Sequence, residues 1–165
     1  MNLARIARHL FDLPGAAARA FPTASMETIQ NAIAAGEAQH RGEIRFAVEA
    51  ALDSAPLFAG QGARERALDV FSLLRVWDTE ENNGVLIYLL LADRDAEIVA
   101  DRGINAKVQA VEWEQICRRM EAAFTRGEFE QGVLAGIGEV SRLLARYYPA
   151  RPGDRNELAD QPAIL

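Results

Sequence analysis

A chain of 165 residues fits one ordinary domain, since single cores occupy ~100 to 200 residues, and its 50% apolar and 25% charged composition is that of a folded globular protein. The formal net charge of -6 argues against nonspecific nucleic-acid binding, which needs surplus Lys and Arg to displace counterions from phosphates. A lone cysteine, Cys117, excludes an internal disulfide and a Cys-based metal cage, and no apolar run approaches the ~20 residues that cross a bilayer.

Leu3, Ile6, Ala7, Leu10 and Phe11 recur at helical spacing with Arg5, Arg8 and His9 between them. The spacing predicts a short amphipathic helix ending near Leu13-Pro14-Gly15 and sets residues 1–22 apart as an N-terminal segment. Its apolar stripe can pack on its own domain, or residues 1–21 can lie on an anionic membrane surface. His9 reads as a solvated or packing histidine. Asp12 and Pro14 interrupt the apolar stretch that a secretory signal needs, so the expected location is cytoplasmic, with peripheral membrane contact left open.

After Pro22, Thr23 or Ser25 can cap a helix that buries Met26, Ile29 and Ile33 and turns Glu27, Gln30 and Glu37 to water. Ile44, Phe46 and Val48 then alternate with Glu43, Arg45, Ala47 and Glu49, the period of a strand with one wetter face, on which Glu43 and Glu49 are expected to meet solvent. Residues 53–62, with Pro56, Gly60 and Gly62, read as a loop. Ala63, Ala67, Val70, Phe71 and Leu74 trace the next helix.

Residues 78–84 form a dense polar loop, beside which Trp77 reads as a lid on the core. Residues 85–91 follow as an unbroken apolar strand that needs cover on both faces. Asp93-Arg94-Asp95 is too short a link for anything but an antiparallel return into residues 96–100, whereas the helix between the first two strands permits them to be parallel. Two helices close the domain, one burying Trp113, Ile116, Cys117, Met120 and Phe124, the other Val133, Ile137, Val140 and Leu144. The expected fold is α/β: a three-layer α/β/α sandwich with a small mixed sheet over residues 23–149. Residues 150–165, rich in Pro, Gly and charge, are expected to form a loosely held tail.

The chain has no nucleophile elbow, Walker loop or dinucleotide fingerprint, and two histidines, His9 and His40, are poor material for a zinc site or a catalytic triad. It does place oxygen donors at strand ends: Asp53, Asp78, Glu80, Glu81, Asn82, Asn83, Asp93, Asp95 and Asp101. Carboxylate and amide oxygens suit Ca²⁺ or Mg²⁺. The topology divides them, Asp78 to Asn83 with Asp101 at one end of the apolar strand and Asp53 with Asp93 and Asp95 at the other. The bland alternatives are a turn at Asn82-Asn83-Gly84 and a solvated hairpin tip at Asp93-Arg94.

Four pieces in order resemble the TPM-domain family: Gly42-Glu43-Ile44-Arg45-Phe46-Ala47-Val48; Asn82-Asn83-Gly84-Val85-Leu86-Ile87; Asp93-Arg94 with Glu97-Ile98-Val99-Ala100-Asp101-Arg102-Gly103-Ile104; and Gly127-Glu128-Phe129-Glu130-Gln131-Gly132-Val133. That family includes thylakoid-lumen acid phosphatase-like proteins, photosystem II repair proteins and an acetylcholine-receptor auxiliary protein. This chain looks most like its small, unanchored bacterial branch. The resemblance implies an α/β/α sandwich, divalent-cation binding and low phosphatase activity in some members, and a protein partner tied to membrane-protein upkeep.

Two functions are therefore expected. One is a noncatalytic interaction or assembly domain, dependent on Ca²⁺ or Mg²⁺, with a membrane-associated protein partner and no nucleic acid. The alternative is a low-activity divalent-cation-dependent phosphatase. Asp78, Asn82, Asn83 and Asp101 are the expected metal ligands, and Arg94 or Arg102 the expected phosphate or ligand contacts.

Overall fold

The computed structural model of the chain describes residues 3–10 and 15–165. In chain order its elements are α1 (Leu3–Leu10), α2 (Ala16–Ala20), α3 (Thr23–Glu37), β1 (Glu43–Glu49), α4 (Ser54–Phe58), α5 (Ala63–Leu73), β2 (Gly84–Leu90), β3 (Asp95–Ala100), α6 (Arg102–Asn105), α7 (Ala110–Thr125), α8 (Phe129–Tyr147) and β4 (Ala163–Ile164). The sheet order is β3-β2-β1-β4. As the helical connection permits, β1 and β2 are parallel and in register from Glu43 opposite Gly84 to Glu49 opposite Leu90, and as the short link requires, β2 and β3 form an antiparallel hairpin.

All seven residues of β2 are buried, because both faces of the sheet are covered. On one face Ile44, Phe46, Val48, Val85, Ile87, Leu89 and Ile98 pack under α3, α7 and α8 through Ile33, Met120, Phe124, Ile137 and Leu144. On the other, Ala47, Leu86, Tyr88, Leu90 and Val99 meet Leu57 of α4 and Ala67 and Val70 of α5. Each of the larger apolar side chains removed from water contributes roughly 1.5–3 kcal/mol, so β2 anchors both layers. Helices α7 and α8 approach closely at Gly136, where a Cβ would sit 2.5 Å from the Met120 sulfur.

The N-terminal helix is docked on the domain. Asp93 receives Arg5 Nε at 2.8 Å and Arg8 Nη2 at 3.1 Å, and His9 Nε2 lies 3.2 Å away. His9 Nδ1 accepts the Leu52 N–H at 3.0 Å, so this histidine is a buried packing residue rather than a solvated one. Burial alone would raise the Asp93 pKa, but the hydrogen bonds from Arg5, His9 and Arg8 outweigh it and hold this carboxylate below its ordinary range. The hairpin tip is thus a docking post. The expected helix end at Phe11, Leu13 and Pro14 lies outside the described residues.

Four further expectations change. Residues 53–62 are not wholly loop, because α4 forms there and buries Leu57. Trp77 is no lid: it is 48% exposed with Arg75 over its ring, while its neighbour Val76 is buried. Glu43 and Glu49 do not face solvent; both are buried, since α5 and the C-terminal residues cover that face of β1. Residues 150–165 are held rather than loose. The main-chain N–H groups of Glu157 and Leu158 donate to the Glu43 carboxylate at 3.0 and 3.1 Å, Arg45 donates to Ala159 O, and β4 pairs in parallel with β1.

Candidate functional site

The polar loop before β2 and the residues after β3 are joined by main-chain bonds. Asn82 stands at φ 53°, a left-handed conformation that asparagine tolerates, and this aims its carbonyl at the N-terminus of α6. That oxygen accepts from Gly103 N at 2.9 Å and Ile104 N at 3.3 Å, while Asp101 N donates to Gly84 O at 2.8 Å. Gly103 must lack a side chain here, because a Cβ would fall 2.5 and 2.6 Å from the carbonyl oxygens of Asn82 and Glu81. Arg102 Nε donates to Asn82 Oδ1 at 2.9 Å.

Three side-chain oxygens on these joined segments are buried without a protein partner: Glu81 Oε2, Asn83 Oδ1 and Asp101 Oδ2. In each case the rest of the side chain is held. Glu81 Oε1 takes Arg41 Nη1, Asn83 Nδ2 donates to Arg41 O at 2.7 Å, and Asp101 Oδ1 caps α6 by accepting from Arg102 N at 2.7 Å. Asn83 is 1% exposed, so the amide is fixed inside the protein with its acceptor end unanswered. An unsatisfied buried acceptor costs about 1–3 kcal/mol, and a carboxylate oxygen more. Two carboxylates and an amide are donors of the kind a hard cation takes. Among the described residues no group of three or more His, Cys, Asp or Glu is placed to hold a metal ion.

The structure thus joins Asn82 to Arg102 and ties Asp101 to the start of β2, turns Asn83 toward Arg41 before β1, and leaves two predicted residues apart. Asp78 pairs at the surface with Arg75 Nη2 at 2.9 Å. Arg94 is exposed in the β2–β3 turn, at the opposite end of β2 from Asp101. Glu81 belonged to the predicted oxygen cluster without being singled out. Arg41 carries no sequence signal at all, because it reaches the loop only through the parallel pairing of β1 with β2.

Two further polar clusters surround β1. At its C-terminal end Glu49 receives Arg66 through both Nε at 2.8 Å and Nη2 at 2.9 Å, and Tyr88 Oη donates to it at 2.6 Å. Burial and the neighbouring carboxylate push the Tyr88 phenol far above its ordinary range. At its N-terminal end Glu37 is pushed up to about 9 by burial, with the charges of Glu43 and Asp160 adding to the shift. Glu37 Oε1 accepts the Ile44 N–H at 2.8 Å. These groups hold the strand and the C-terminal residues in place.

A mixed sheet between two helical layers, with a polar loop tied to the end of its hairpin, defines an α/β sandwich. The TPM domain matches residues 17–143, and the chain belongs to that family. It is similar to the BA42 protein of the psychrophilic bacterium Bizionia argentinensis, whose NMR structure shares 30% identity and a TM-score of 0.78 over 88% of this chain and 95% of that one. The N-terminal domain of a P. gingivalis protein, at 18% identity and a TM-score of 0.61 over 78% of this chain and 81% of that one, shares the fold. No match was found among curated proteins.

Proposed function

We propose that this chain is a noncatalytic interaction or assembly domain whose loop before β2 takes a hard divalent cation, Ca²⁺ or Mg²⁺. What supports the cation is the set of buried oxygens without partners, Glu81 Oε2, Asn83 Oδ1 and Asp101 Oδ2, on two segments already joined by the Asn82 carbonyl. These three residues would hold the ion, and its charge would offset the burial of two carboxylates. Among the described residues no helix is long and apolar enough to cross a membrane. Peripheral contact through residues 1–21 is supported by the outward exposure of Leu3 and Leu10 on α1.

Phosphatase activity is the second reading, favoured by the Arg102 guanidinium, which is held by Asn82 Oδ1 at 2.9 Å on the same joined segments. A bound cation would there polarise a phosphoryl group, with Arg102 orienting it. Titration of isotope-labelled protein with Ca²⁺ and with Mg²⁺, followed by NMR, tests the main reading. Amide shifts are expected at residues 81–83 and 101–104, and Asp101→Asn should weaken the response by ~10-fold or more. Saturating titration at millimolar metal that moves none of these amides would sink it. Hydrolysis of a generic phosphomonoester that is lost in Asp101→Asn would move the assignment to the second reading.

A further inference from the structure

We propose that the outer edge of β3 takes an extended, Lys- or Arg-bearing segment of a partner protein as an added strand. The inference gives the interaction-domain reading a surface and rests on that reading, but it does not use the cation. In the order β3-β2-β1-β4 the outer side of β1 is covered by the chain's own C-terminal strand, whereas β3 ends the sheet. The bond from Asp101 N to Gly84 O sets the parity of the hairpin. Asp95, Glu97 and Val99 therefore turn their main chain to β2, and Ala96, Ile98 and Ala100 turn theirs outward.

Side chains, not another strand, meet this edge. Arg64 Nη1 of α5 donates to Ile98 O at 2.6 Å, and the Ala96 N–H reaches Glu121 Oε1 of α7 at 3.4 Å, near the outer limit for such a bond. Alongside the strand runs an open groove of about 570 Å³, lined by Arg64, Glu97, Ile98, Trp113, Cys117 and Glu121 among others. An extended peptide laid there would replace both long side chains with main-chain bonds, which is how strand addition gains affinity. Side-chain pockets then set which peptide is taken.

The charge of the groove selects the occupant. Arg64 is answered by Glu97 at 3.3 Å and Arg118 by Glu114 at 3.2 Å. Glu121 adds a carboxylate on the α7 side of the groove and Asp95 another at the same edge on the α5 face, where Arg5, whose charge acts on Asp95, is already bound to Asp93. Burial and the charges of Glu97, Glu121 and Asp93 push Asp95 up to about 6, and Glu97 is raised as well. Cys117 is pushed up to about 12 by burial and by the same carboxylates. A cationic side chain entering from solvent relieves this repulsion, and an acidic one adds to it.

The test uses the full chain in excess EDTA, which separates its failure from failure of the cation reading. Labelled protein is titrated with a capped peptide of alternating Lys and Val, and in parallel with a Glu-for-Lys twin. The expected result is shifts and slowed hydrogen exchange at the amides of Ala96, Ile98 and Ala100 with the basic peptide alone. Glu121→Lys, at a half-buried position on α7, should weaken binding by ~10-fold or more. Ala100→Pro, which removes an outward N–H at an edge where proline is tolerated, should abolish it while cooperative unfolding persists. No response at residues 95–100 with millimolar peptide overturns the proposal, as does an equal response to the acidic twin. Concentration-dependent shifts of the same amides without peptide would also overturn it, by giving the edge to a second copy of this chain.

Discussion

Glu37→Gln should stabilise the protein at neutral pH, by an amount that grows with pH. The folded carboxyl sits at about 9 against an ordinary 4.5, chiefly because it is buried. Between those two values the native state binds a proton that the unfolded state has released, so stability falls as pH rises through the window by about 1.4 kcal/mol per unit. At pH 7 the full cost is about 3 kcal/mol, and partial exposure of the side chain brings it to about 2 kcal/mol. Glutamine keeps an oxygen for the Ile44 N–H, which Glu37 accepts at 2.8 Å, and it carries no charge beside Glu43 and Asp160. Urea unfolding of both proteins at several pH values between 5 and 8, read by circular dichroism, measures the difference directly. The gap should open steadily with pH and nearly close near 4.5, where both side chains are neutral. A gap of constant size would refute the reasoning, because a shape change or a new hydrogen bond has no such pH dependence.

Arg66→Ala leaves Glu49 buried with the Tyr88 hydroxyl as its remaining partner among the bonds described for its side chain, and should cost about 3–5 kcal/mol in the same urea assay. The double variant Arg66→Ala with Glu49→Gln should recover part of that loss. For peripheral membrane contact, the Leu3→Ser, Leu10→Ser double variant should float less with anionic liposomes than the unaltered protein, since these side chains are 76% and 52% exposed on α1. Equal flotation of the two forms would retire the contact.

Much of the fold was legible in local pattern. The unbroken apolar run of β2 called for cover on both faces, the three-residue link at Asp93 forced an antiparallel return, and the helix between β1 and β2 permitted their parallel pairing. The same patterns, joined to four ordered motifs, point to the TPM family, whose domain matches residues 17–143. Where local pattern misleads, a distant segment supplies the missing surface. Glu43 and Glu49 alternate with apolar residues as exposed carboxylates do, yet Leu158 and Arg66 reach them from 115 and 17 positions away. Trp77, beside the polar loop, reads as a lid, but it is the smaller neighbouring Val76 that is buried.

The candidate site divides in the same way. Asn82, Asn83 and Asp101 could be chosen from residue type and from their places at strand ends, because oxygen donors beside a turn are a local property. That Asp78 pairs with Arg75 three residues away, and that Arg94 stands at the far end of β2, are local consequences of the turn and the hairpin, whereas Arg41 holding both Glu81 and Asn83 depended on strand register. By itself, then, the sequence determined the three long strands, the long helices, their order and the family, since periodicity and turn chemistry act over a few residues. Only the tertiary structure decided which charges are buried and paired and which oxygens lack partners, since burial and pairing depend on groups that folding brings from far along the chain.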